Sequence, residues 1–378
     1  MKKILILALI AALGTGVLAG CGTPEVTTVT YSDLSVEEEV VEEVEEEEEE
    51  VDPHEGKVQS YLTGEWIGKK KANRRPVAVM MSNDTSALPQ YGISEADIIY
   101  EAPAEGEINR FMLLIEDYED IEKLMPIRSC RIYYLYWALG FDAIYVHYGQ
   151  ARTAKTALAQ DNVNNLNGME GALANVTFFR DSSRSAPQNA YATGESLAAG
   201  IEQKGYDTTY DSDYEGNWTF NSSDDTEINL KKKTYENSVT AKVFVPGYSI
   251  NKPWFVYDSE EKVYKRYQYG SAHTDEATGE QLDAKNILVQ IVDWTVADSE
   301  YNYLDFTTTG TGEGYYLTNG RAIKVTWKCD AIGEPTVYYD ENGDEITLNR
   351  GRTWVCVIKN SYADRITFYS SEDEFTEP

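Results

Sequence analysis

The amino-terminal 56 residues cannot contribute to a packed core, and this restricts the fold more than any other feature. Residues 22–56 contain fifteen acidic side chains and no lysine or arginine, including six consecutive glutamates at positions 45–50. Mutual repulsion keeps such a run extended. The globular part is therefore predicted to lie within residues 57–378, with residues 21–56 forming an acidic tether. We expect this tether to be a solvated spacer. Alternatively, its charge could hold the domain away from anionic lipid, or it could loosely bind divalent cations.

The residues before the tether have the pattern of a lipoprotein leader. Lys2 and Lys3 precede an apolar run over residues 4–13, and Leu18-Ala19-Gly20-Cys21 follows. A short positive segment, an apolar run and small residues before the cut are typical of a signal peptide. A cysteine directly after the cut is the bacterial lipobox pattern. We predict a signal peptide over residues 1–20 and acylation, including palmitate, at Cys21; an uncleaved span is disfavoured because about 20 unbroken apolar residues are needed.

Lipidation and charge together predict the location and the partners. Two or more acyl chains hold a protein stably on a bilayer, so we expect a lipid anchor on the extracytoplasmic face of the cell membrane. Removing the fifteen acidic residues of the tether and the two lysines of the leader changes the net charge from −31 to −18. This acidity excludes nucleic acid, whose phosphates require clustered lysine and arginine. A cell-wall polymer or an envelope protein is the expected partner.

Residues 57–234 are predicted to form an α/β-type domain with a mixed sheet. Strand patterns alternate with helix patterns, and this alternation is typical of that class. The predicted strands are 77–81, 97–101, 108–115, 142–147 and 176–179, and the predicted helices are 128–139 and 151–160. Pro126 near the start of the first helix supports that assignment.

Residues 235–378 are predicted to form an all-β domain, which makes the overall class α+β. Eight β-rich runs follow one another: 242–245, 254–257, 262–269, 287–294, 315–318, 323–328, 336–339 and 353–358. Asn319-Gly320 between two of these runs predicts a two-residue hairpin, and Asn342-Gly343 predicts a second turn. Aromatic residues of these runs could build a sugar- or peptide-binding face, but alternation along strands places most of them in the core; they are Trp254, Tyr264, Tyr267, Trp294, Trp327 and Trp354.

No metal site or cofactor is predicted. The chain has no paired-cysteine motif and no cysteine–histidine cluster. Asp211-x-Asp213-x-Glu215 begins like a calcium loop but has Ser222 where the bidentate glutamate belongs, and Asp340-x-Asn342-x-Asp344 coincides with the second turn.

Three cysteines besides Cys21 remain, and their roles are open at the sequence level. Cys329 and Cys356 could form a disulfide if their strands are neighbours, although buried free thiols are favoured. Cys130 lies between two arginines, which would lower a thiol pKa, but it also falls on a helix whose core it could fill.

Several separated motifs resemble those of the YerB-like lipoproteins, a family of unknown function. They include Arg75-Pro76-Val77-Ala78-Val79-Met80, Ser94-Glu95-Ala96-Asp97-Ile98-Ile99-Tyr100-Glu101, Pro126-Ile127-Arg128-Ser129-Cys130-Arg131, Arg180-Asp181-Ser182-Ser183-Arg184 and Gly351-Arg352-Thr353-Trp354-Val355. The resemblance extends over nearly all of the chain beyond the tether. It implies an extracytoplasmic lipoprotein of two domains without an assigned activity. The chain departs from the family pattern at Gln188 and Cys130, where the family usually has histidine and a small residue.

A set of charged and polar residues embedded in apolar elements is the candidate ligand site. Strand ends gather ligand sites in α/β sheets, and two arginines at i and i+3 near a helix start share one face and suit phosphate or carboxylate. The candidate residues are Asn83, Glu101, Glu105, Arg110, Arg128, Arg131, His147, Asp181, Arg184 and Asn189. We expect either one arginine-centred pocket for an anionic envelope ligand, or buried salt bridges that fix the fold.

The sequence supports two functions of different classes and leaves catalysis undecided. The preferred hypothesis is a binding or scaffold module in the cell envelope. The alternative is a wall-directed hydrolase or transferase that uses Glu101, Glu105 or Asp181 with His147. A single histidine on a strand is more often a satisfied core residue than a catalytic one.

Overall fold

One eleven-stranded sheet draws its strands from both halves of the chain. The computed structural model describes residues 53–377. The predicted leader over residues 1–20, the acylated Cys21 and almost all of the acidic tether therefore lie outside the described residues. The fold is mixed and rich in strands with few helices, which confirms the predicted class at that level.

The described residues contain the following strands: β1 (Lys57–Gln59), β2 (Trp66–Gly68), β3 (Val77–Ser82), β4 (Ile98–Pro103), β5 (Asn109–Ile115), β6 (Ile144–His147), β7 (Asn165–Asn167), β8 (Phe179–Arg180), β9 (Ala190–Tyr191), β10 (Thr219–Phe220), β11 (Val239–Thr240), β12 (Val243–Val245), β13 (Trp254–Asp258), β14 (Val263–Gln268), β15 (Ser271–Ala272), β16 (Asp283–Ala284), β17 (Asn286–Val292), β18 (Trp294–Asp298), β19 (Tyr303–Phe306), β20 (Gly310–Thr318), β21 (Arg321–Cys329), β22 (Val337–Tyr339), β23 (Thr347–Leu348), β24 (Thr353–Lys359) and β25 (Thr367–Tyr369).

The α-helices of the described residues all lie before residue 205. They are α1 (Lys69–Ala72), α2 (Ile132–Leu139), α3 (Lys155–Leu158), α4 (Gly171–Thr177) and α5 (Gly194–Lys204). Short 3-10 turns occur at Thr85–Ala87, Ile93–Glu95, Glu105–Glu107, Arg152–Ala154, Asn360–Arg365 and Glu372–Glu374.

The large sheet has the strand order β11-β21-β20-β17-β24-β4-β5-β3-β6-β7, with β22 paired to β21. Strands β17, β24 and β4 are mutually parallel, as are β3, β6 and β7. Because β5 is antiparallel to both β3 and β4, these two parallel groups point the same way. Their carboxyl ends therefore meet along one edge of the sheet, which we call the carboxyl edge.

Both faces of the large sheet are covered, so its central strands are apolar throughout. On β24, Val355 and Val357 face a core that includes Tyr134 and Trp137 of α2. The opposite face packs against Leu197 of α5 and against a second sheet. This second sheet has the order β15-β14-β13-β12-β25, with β16 beside β14. Burial on both faces explains why β24 reads as a continuous apolar run rather than an alternating one.

The large sheet contains strands from both predicted domains, residues 57–234 and residues 235–378. Strand β24 from the second segment pairs with β4 from the first, in parallel from Thr353↔Ile98 to Cys356↔Glu101. Residues 53–377 form one compact unit. The two segments therefore build a common sheet and do not fold as two sheets joined by a linker.

The predicted hairpin at Asn319-Gly320 is confirmed. Strands β20 and β21 pair in register up to Thr318↔Arg321, and the two residues between them have φ of 51° and 72°. Positive φ at both central positions is the requirement of a type I′ turn. Gly343, in the second predicted turn, also has a positive φ of 84°.

Two local predictions are wrong. Helix α2 begins at Ile132, not at residue 128, because residues 127–131 run extended across the sheet edge. Arg128 and Arg131 therefore do not share a helix face near an amino terminus. The first two residues of the strand predicted at 176–179 are the end of α4, and only Phe179 belongs to a strand, the two-residue β8.

All three cysteines of the described residues are buried free thiols. Cys329 on β21 and Cys356 on β24 cannot be cross-strand neighbours because β20 and β17 lie between their strands. Burial raises the pKa of Cys130 to about 12 and outweighs the nearby arginines. The alternative of an activated thiolate at Cys130 is therefore wrong.

A buried ion pair joins the two sheets. Glu101 on β4 and Arg266 on β14 are fully buried, and both carboxylate oxygens lie 2.9 Å from Arg266 Nη2. Asn109 and Asn251 donate to Glu101 Oε1 at 2.8 Å and 2.7 Å. Trp354 Nε1 donates to Oε2 at 3.1 Å. The carboxylate is thus held by donors from β5 and β24 of the large sheet, from β14 of the second sheet and from Asn251, which precedes β13.

A histidine continues this network. Burial and the charge of Arg266 lower the pKa of His273 well below its ordinary value. A neutral ring can accept from Arg266 Nη1 at Nδ1, 2.6 Å away, and donate from Nε2 to Gln90 Oε1 at 2.6 Å. These contacts fix the position of β14 over the large sheet.

Removing the arginine of this pair should destabilise the protein strongly. Arg266→Met leaves the Glu101 carboxylate buried without an ion-pair partner, so the free energy of unfolding should fall by about 3–5 kcal/mol. Urea denaturation measures this change. As a control, Arg74→Met removes an arginine whose partners Asp117 and Glu119 are half exposed, and it should cost less than about 1 kcal/mol. Equal losses in the two variants would contradict the structural role of the pair.

Candidate functional site

An extended segment places Arg128 at the carboxyl edge. The backbone nitrogen of Arg128 donates to Met80 O of β3 at 2.9 Å, and its carbonyl accepts from the nitrogen of Tyr148, directly after β6, at 2.9 Å. Ile127 N donates to Ala190 O, also at 2.9 Å. The segment is therefore fixed across the ends of two parallel strands, and Arg128 lies between them.

Glu105 is bracketed by two arginines at the same edge. Its Oε1 lies 2.5 Å from Arg110 Nη2 and 2.5 Å from Arg131 Nη2, and its Oε2 accepts from Arg131 Nε at 2.9 Å. The arginine side chains are 5% exposed and that of Glu105 is 31% exposed. Burial raises the pKa of Glu105, but the charges of Arg110 and Arg131 outweigh this and hold it at about 2.

Ser129 fixes the two arginines relative to each other. Its carbonyl oxygen accepts from Arg110 Nη1 at 2.6 Å and lies 3.5 Å from Arg131 Nη1. Burial and the charge of Arg131 lower the pKa of Arg110 to about 10. Arg110 therefore remains a cation near neutral pH, so the group carries more positive than negative charge.

Arg128 differs from these two arginines because its side chain forms no hydrogen bond or ion pair with any of residues 53–377. Its side chain is half-buried, and its Nε is enclosed by protein without a hydrogen-bond acceptor. Burial lowers its pKa, the charges of Asp84 and Glu105 raise it, and that of Arg131 lowers it further. A half-buried guanidinium is normally paired with an acceptor.

Asp84, the nearest candidate partner, is already hydrogen-bonded to other groups. Its Oδ2 accepts from Ser82 Oγ at 2.8 Å and from Gln188 Nε2 at 2.6 Å, and its Oδ1 accepts from Ser86 N at 2.9 Å. Burial raises the pKa of Asp84, but these hydrogen bonds outweigh it and lower the pKa. Asp84 balances part of the charge of Arg128 without forming an ion pair with it.

Three predicted site residues are instead enclosed in the core. Asn83, Glu101 and His147 are fully buried. Asn83 exchanges two hydrogen bonds of 2.9 Å with Gln268. His147 bonds to Gly149 O at 2.7 Å and to Asn165 Oδ1 at 3.2 Å, and burial lowers its pKa. These residues position strands and are not accessible to a ligand.

Three others hold a surface loop in place. Arg184 donates to Ala87 O at 3.0 Å and to Pro89 O at 2.6 Å. Asp181 lies 2.5 Å from Lys123 Nζ, and hydrogen bonds from Lys123 and Ser183 lower its pKa. Asn189 donates to Arg184 O at 3.3 Å. Arg184 and Asp181 therefore attach this loop to residues 87–89 and to Lys123, and their polar groups are occupied.

The residues of the predicted hydrolase alternative are not brought together. Among the described residues, no hydrogen bond or ion pair joins Glu101, Glu105, Asp181 or His147 to one another. Glu101 and His147 are enclosed, and the other two carboxylates are ion-paired. The described residues therefore show no direct contact that couples an acid to a base within this set.

Within residues 53–377, no group of three or more histidine, cysteine, aspartate or glutamate side chains is arranged to hold a metal ion. At the second calcium-like string, Asp340 Oδ1 instead accepts from the backbone nitrogens of Asn342 at 2.8 Å and Asp344 at 3.1 Å, which closes the turn. The aromatic residues predicted for the core are mostly there, since Trp254, Tyr264, Trp327 and Trp354 are buried.

The edge cluster that the structure assembles consists of Glu105, Arg110, Arg128 and Arg131, with Asp84 and Gln188 beside it. The first four residues were predicted from the sequence. Asp84 was missed, although its position two residues after a buried strand is a usable signal. Gln188 was noted only as a departure from a family pattern.

Fold and site together describe a sheet-rich protein of two sequence segments with a cationic sheet edge. Two family models match these segments: the N-terminal domain of "Protein of unknown function (DUF3048)" matches residues 62–207, and its C-terminal domain matches residues 243–355. The chain belongs to this family.

The relatives agree with the expected resemblance, which is thereby confirmed. A protein of Bacillus subtilis (strain 168) named "Putative lipoprotein YerB" is 29% identical over 317 residues, covering 82% of this chain and 89% of the relative. The crystal structure of the YerB protein from Bacillus subtilis superposes with a TM-score of 0.70 at 27% identity, covering 82% of this chain and 99% of that chain. Among the described residues, no helix has the length and apolarity needed to cross a membrane.

The pairing of Glu105 with Arg110 and Arg131 should make the free energy of unfolding depend on pH. Because the pKa of Glu105 is about 2 in the folded protein and ordinarily 4.5, its contribution is complete above pH 4.5 and is lost as the pH falls towards 2. Glu105→Gln should therefore lower the free energy of unfolding by roughly 2 kcal/mol at pH 7. Urea denaturation at pH 7, 5 and 3 should show this difference shrinking with acidity.

The control for this experiment is Glu313→Gln, which changes an exposed carboxylate outside the ion pairs of the described residues. Its effect should stay small at all three pH values. A Glu105→Gln difference that is constant between pH 7 and pH 3 would contradict the low pKa.

Proposed function

We propose that the protein is a lipid-anchored lipoprotein on the extracytoplasmic face of the cell membrane that binds an anionic envelope component at its carboxyl edge. The observation that carries this proposal is Arg128, a half-buried guanidinium without an acceptor among the described residues. Two further guanidinium groups, of Arg110 and Arg131, stand beside it and share one carboxylate.

The chemistry of the edge cluster favours phosphate or carboxylate. A guanidinium offers a planar fork of donors that matches both groups. Burying a charge without a partner is costly, and a bound anion would supply the acceptor that Arg128 lacks. The Glu105 carboxylate is already occupied by two arginines, so it does not compete for Arg128.

The lipid anchor is supported by the leader pattern ending at Cys21 and by the name of the Bacillus subtilis relative. Within the described residues, the chain begins away from the carboxyl edge. His54 lies 2.7 Å from Asp224, which pairs with Arg350 at 2.7 Å just before the start of β24. The carboxyl edge is therefore the edge opposite the first described residues, and this suits a site that faces outward from an anchored chain.

Thermal unfolding with candidate anions tests the proposal. Inorganic phosphate, teichoic-acid fragments and muropeptides would be added separately to the wild-type protein. A ligand at 100 times its dissociation constant adds about 2.7 kcal/mol to the free energy of unfolding, which is a measurable shift in Tm. Arg128→Ala should abolish this shift because the unpaired guanidinium is removed.

The matched control is Arg184→Ala, which removes an arginine whose donors are bound to Ala87 and Pro89. This variant should unfold at a lower temperature without ligand and yet retain the ligand-induced shift. An equal shift in wild type and Arg128→Ala, or no shift with any of the three anions, would overturn the proposed site.

A further inference from the structure

A cavity lies beside the edge cluster and is lined by residues outside that cluster. It has a volume of about 350 Å³ and is lined by Gln150, Arg152, Lys155, Tyr301 and Tyr303. The first three belong to the segment that follows β6, and the tyrosines lie at the turn from β18 to β19. The volume falls at the lower end of the range of about 300–1,000 Å³ that is usual for small-molecule sites.

The two tyrosines form an aromatic wall whose rings are held by each other and by neighbouring guanidinium groups. Their ring centroids are 5.4 Å apart with an interplanar angle of 17°. The Arg131 guanidinium lies 4.7 Å from the Tyr303 ring, and that of Arg152 lies 5.2 Å from the Tyr301 ring. Cation–π contacts of this kind restrict the rings before any ligand arrives.

Arg152 is itself held in place. It pairs with Asp298 and, at 3.0 Å, with Glu300. Tyr301 nevertheless remains 51% exposed. A large aromatic surface that is rigid and still open to solvent is characteristic of a binding surface.

The polar lining includes one cation without an ion-pair partner and one unused donor. Lys155 is exposed and forms no ion pair with any carboxylate of residues 53–377. The Oε1 atom of Gln150 accepts from Asn167 Nδ2 at 3.1 Å, and this contact orients the Gln150 amide. The amide nitrogen of Gln150 has no acceptor within the described part of the chain. Because Arg152 is already paired with Asp298 and Glu300, Lys155 is the charged lining residue that is available to an anionic ligand.

We infer that this cavity binds a single sugar ring that carries a carboxylate. The C–H face of a sugar can lie on the electron-rich face of Tyr301. The ammonium of Lys155 can pair with the carboxylate, and the Gln150 amide can donate to a ring substituent. Three of the five lining side chains are polar or charged, which disfavours a purely apolar ligand.

This inference does not rest on the anion site at Arg128. Arg131 contacts both regions, but it supports the Tyr303 ring here and pairs with Glu105 there. Arg128→Ala should therefore leave sugar binding unchanged, and Tyr301→Ala should leave the response to phosphate unchanged.

Titration calorimetry with two matched sugars tests the inference. N-acetylmuramic acid and N-acetylglucosamine share a ring and differ in a lactyl ether that carries a carboxylate. The acidic sugar should bind the wild-type protein roughly fivefold more tightly, which is the scale of one solvent-exposed ion pair. Lys155→Gln should remove this preference.

Variants of Tyr301 test the aromatic wall. Tyr301→Ala should weaken binding of the acidic sugar about tenfold, by analogy with the loss of a base–aromatic stack, whereas Tyr301→Phe should retain it. Because the side chain is exposed, both variants should unfold at nearly the wild-type temperature. Equal affinities for the two sugars, unchanged binding in Tyr301→Ala, or no binding of the acidic sugar would each overturn the inference.

Discussion

The ion pair between Glu101 and Arg266 is the interaction on which the arrangement of the two sheets depends. The residues are 165 positions apart in the chain, and neither side chain is exposed. Arg266 also lies 4.5 Å from the ring of Trp354, so a strand from each sheet encloses the guanidinium. Separating the second sheet from the large sheet would leave two charges in an apolar core, and this cost binds the two sequence segments into one unit.

The same sheet creates the carboxyl edge. Strands β3, β4 and β6 must run parallel for their ends to meet, and β5 permits this by returning between β4 and β3. The segment through Arg128 then closes the edge by pairing with the backbone at Met80 and Tyr148. The segment through Arg128 and the start of β5 both lie at the carboxyl edge. Arg128 and Arg131 come from the segment and Arg110 comes from β5, so three arginines from two elements meet in one small area.

Local features of the fold could be predicted from the sequence where they depend on adjacent residues. Asn319-Gly320 specifies its own turn, because the required positive φ values belong to the two residues themselves. Helix α5 could also have been found, since Thr193 and Ser196 form a capping box. The start of α2 could not, because residues 127–131 are extended through bonds to strands distant in sequence. Likewise, Val176 and Thr177 favour a strand by propensity, but packing of α4 against Gly200 of α5 overrides it.

Residue types identified the candidate set, but only the structure separates its members by role. The candidate Arg128 and Arg266, which the sequence did not single out, show why. Both are arginines in apolar surroundings, yet Arg266 meets a carboxylate, a histidine and three aromatic rings, whereas Arg128 has no acceptor within residues 53–377.

A buried charge whose partners are supplied by the fold stabilises that fold and has little capacity left for a ligand. A half-buried charge without such partners lowers stability, so its presence is best explained by an acceptor that comes from outside the chain. The sequence cannot make this distinction, because the partner of each arginine is chosen by sheet order and not by spacing along the chain. The contrast in pairing between Arg266 and Arg128, rather than the number of arginines, is therefore the physical basis of our proposal that a ligand binds at the carboxyl edge.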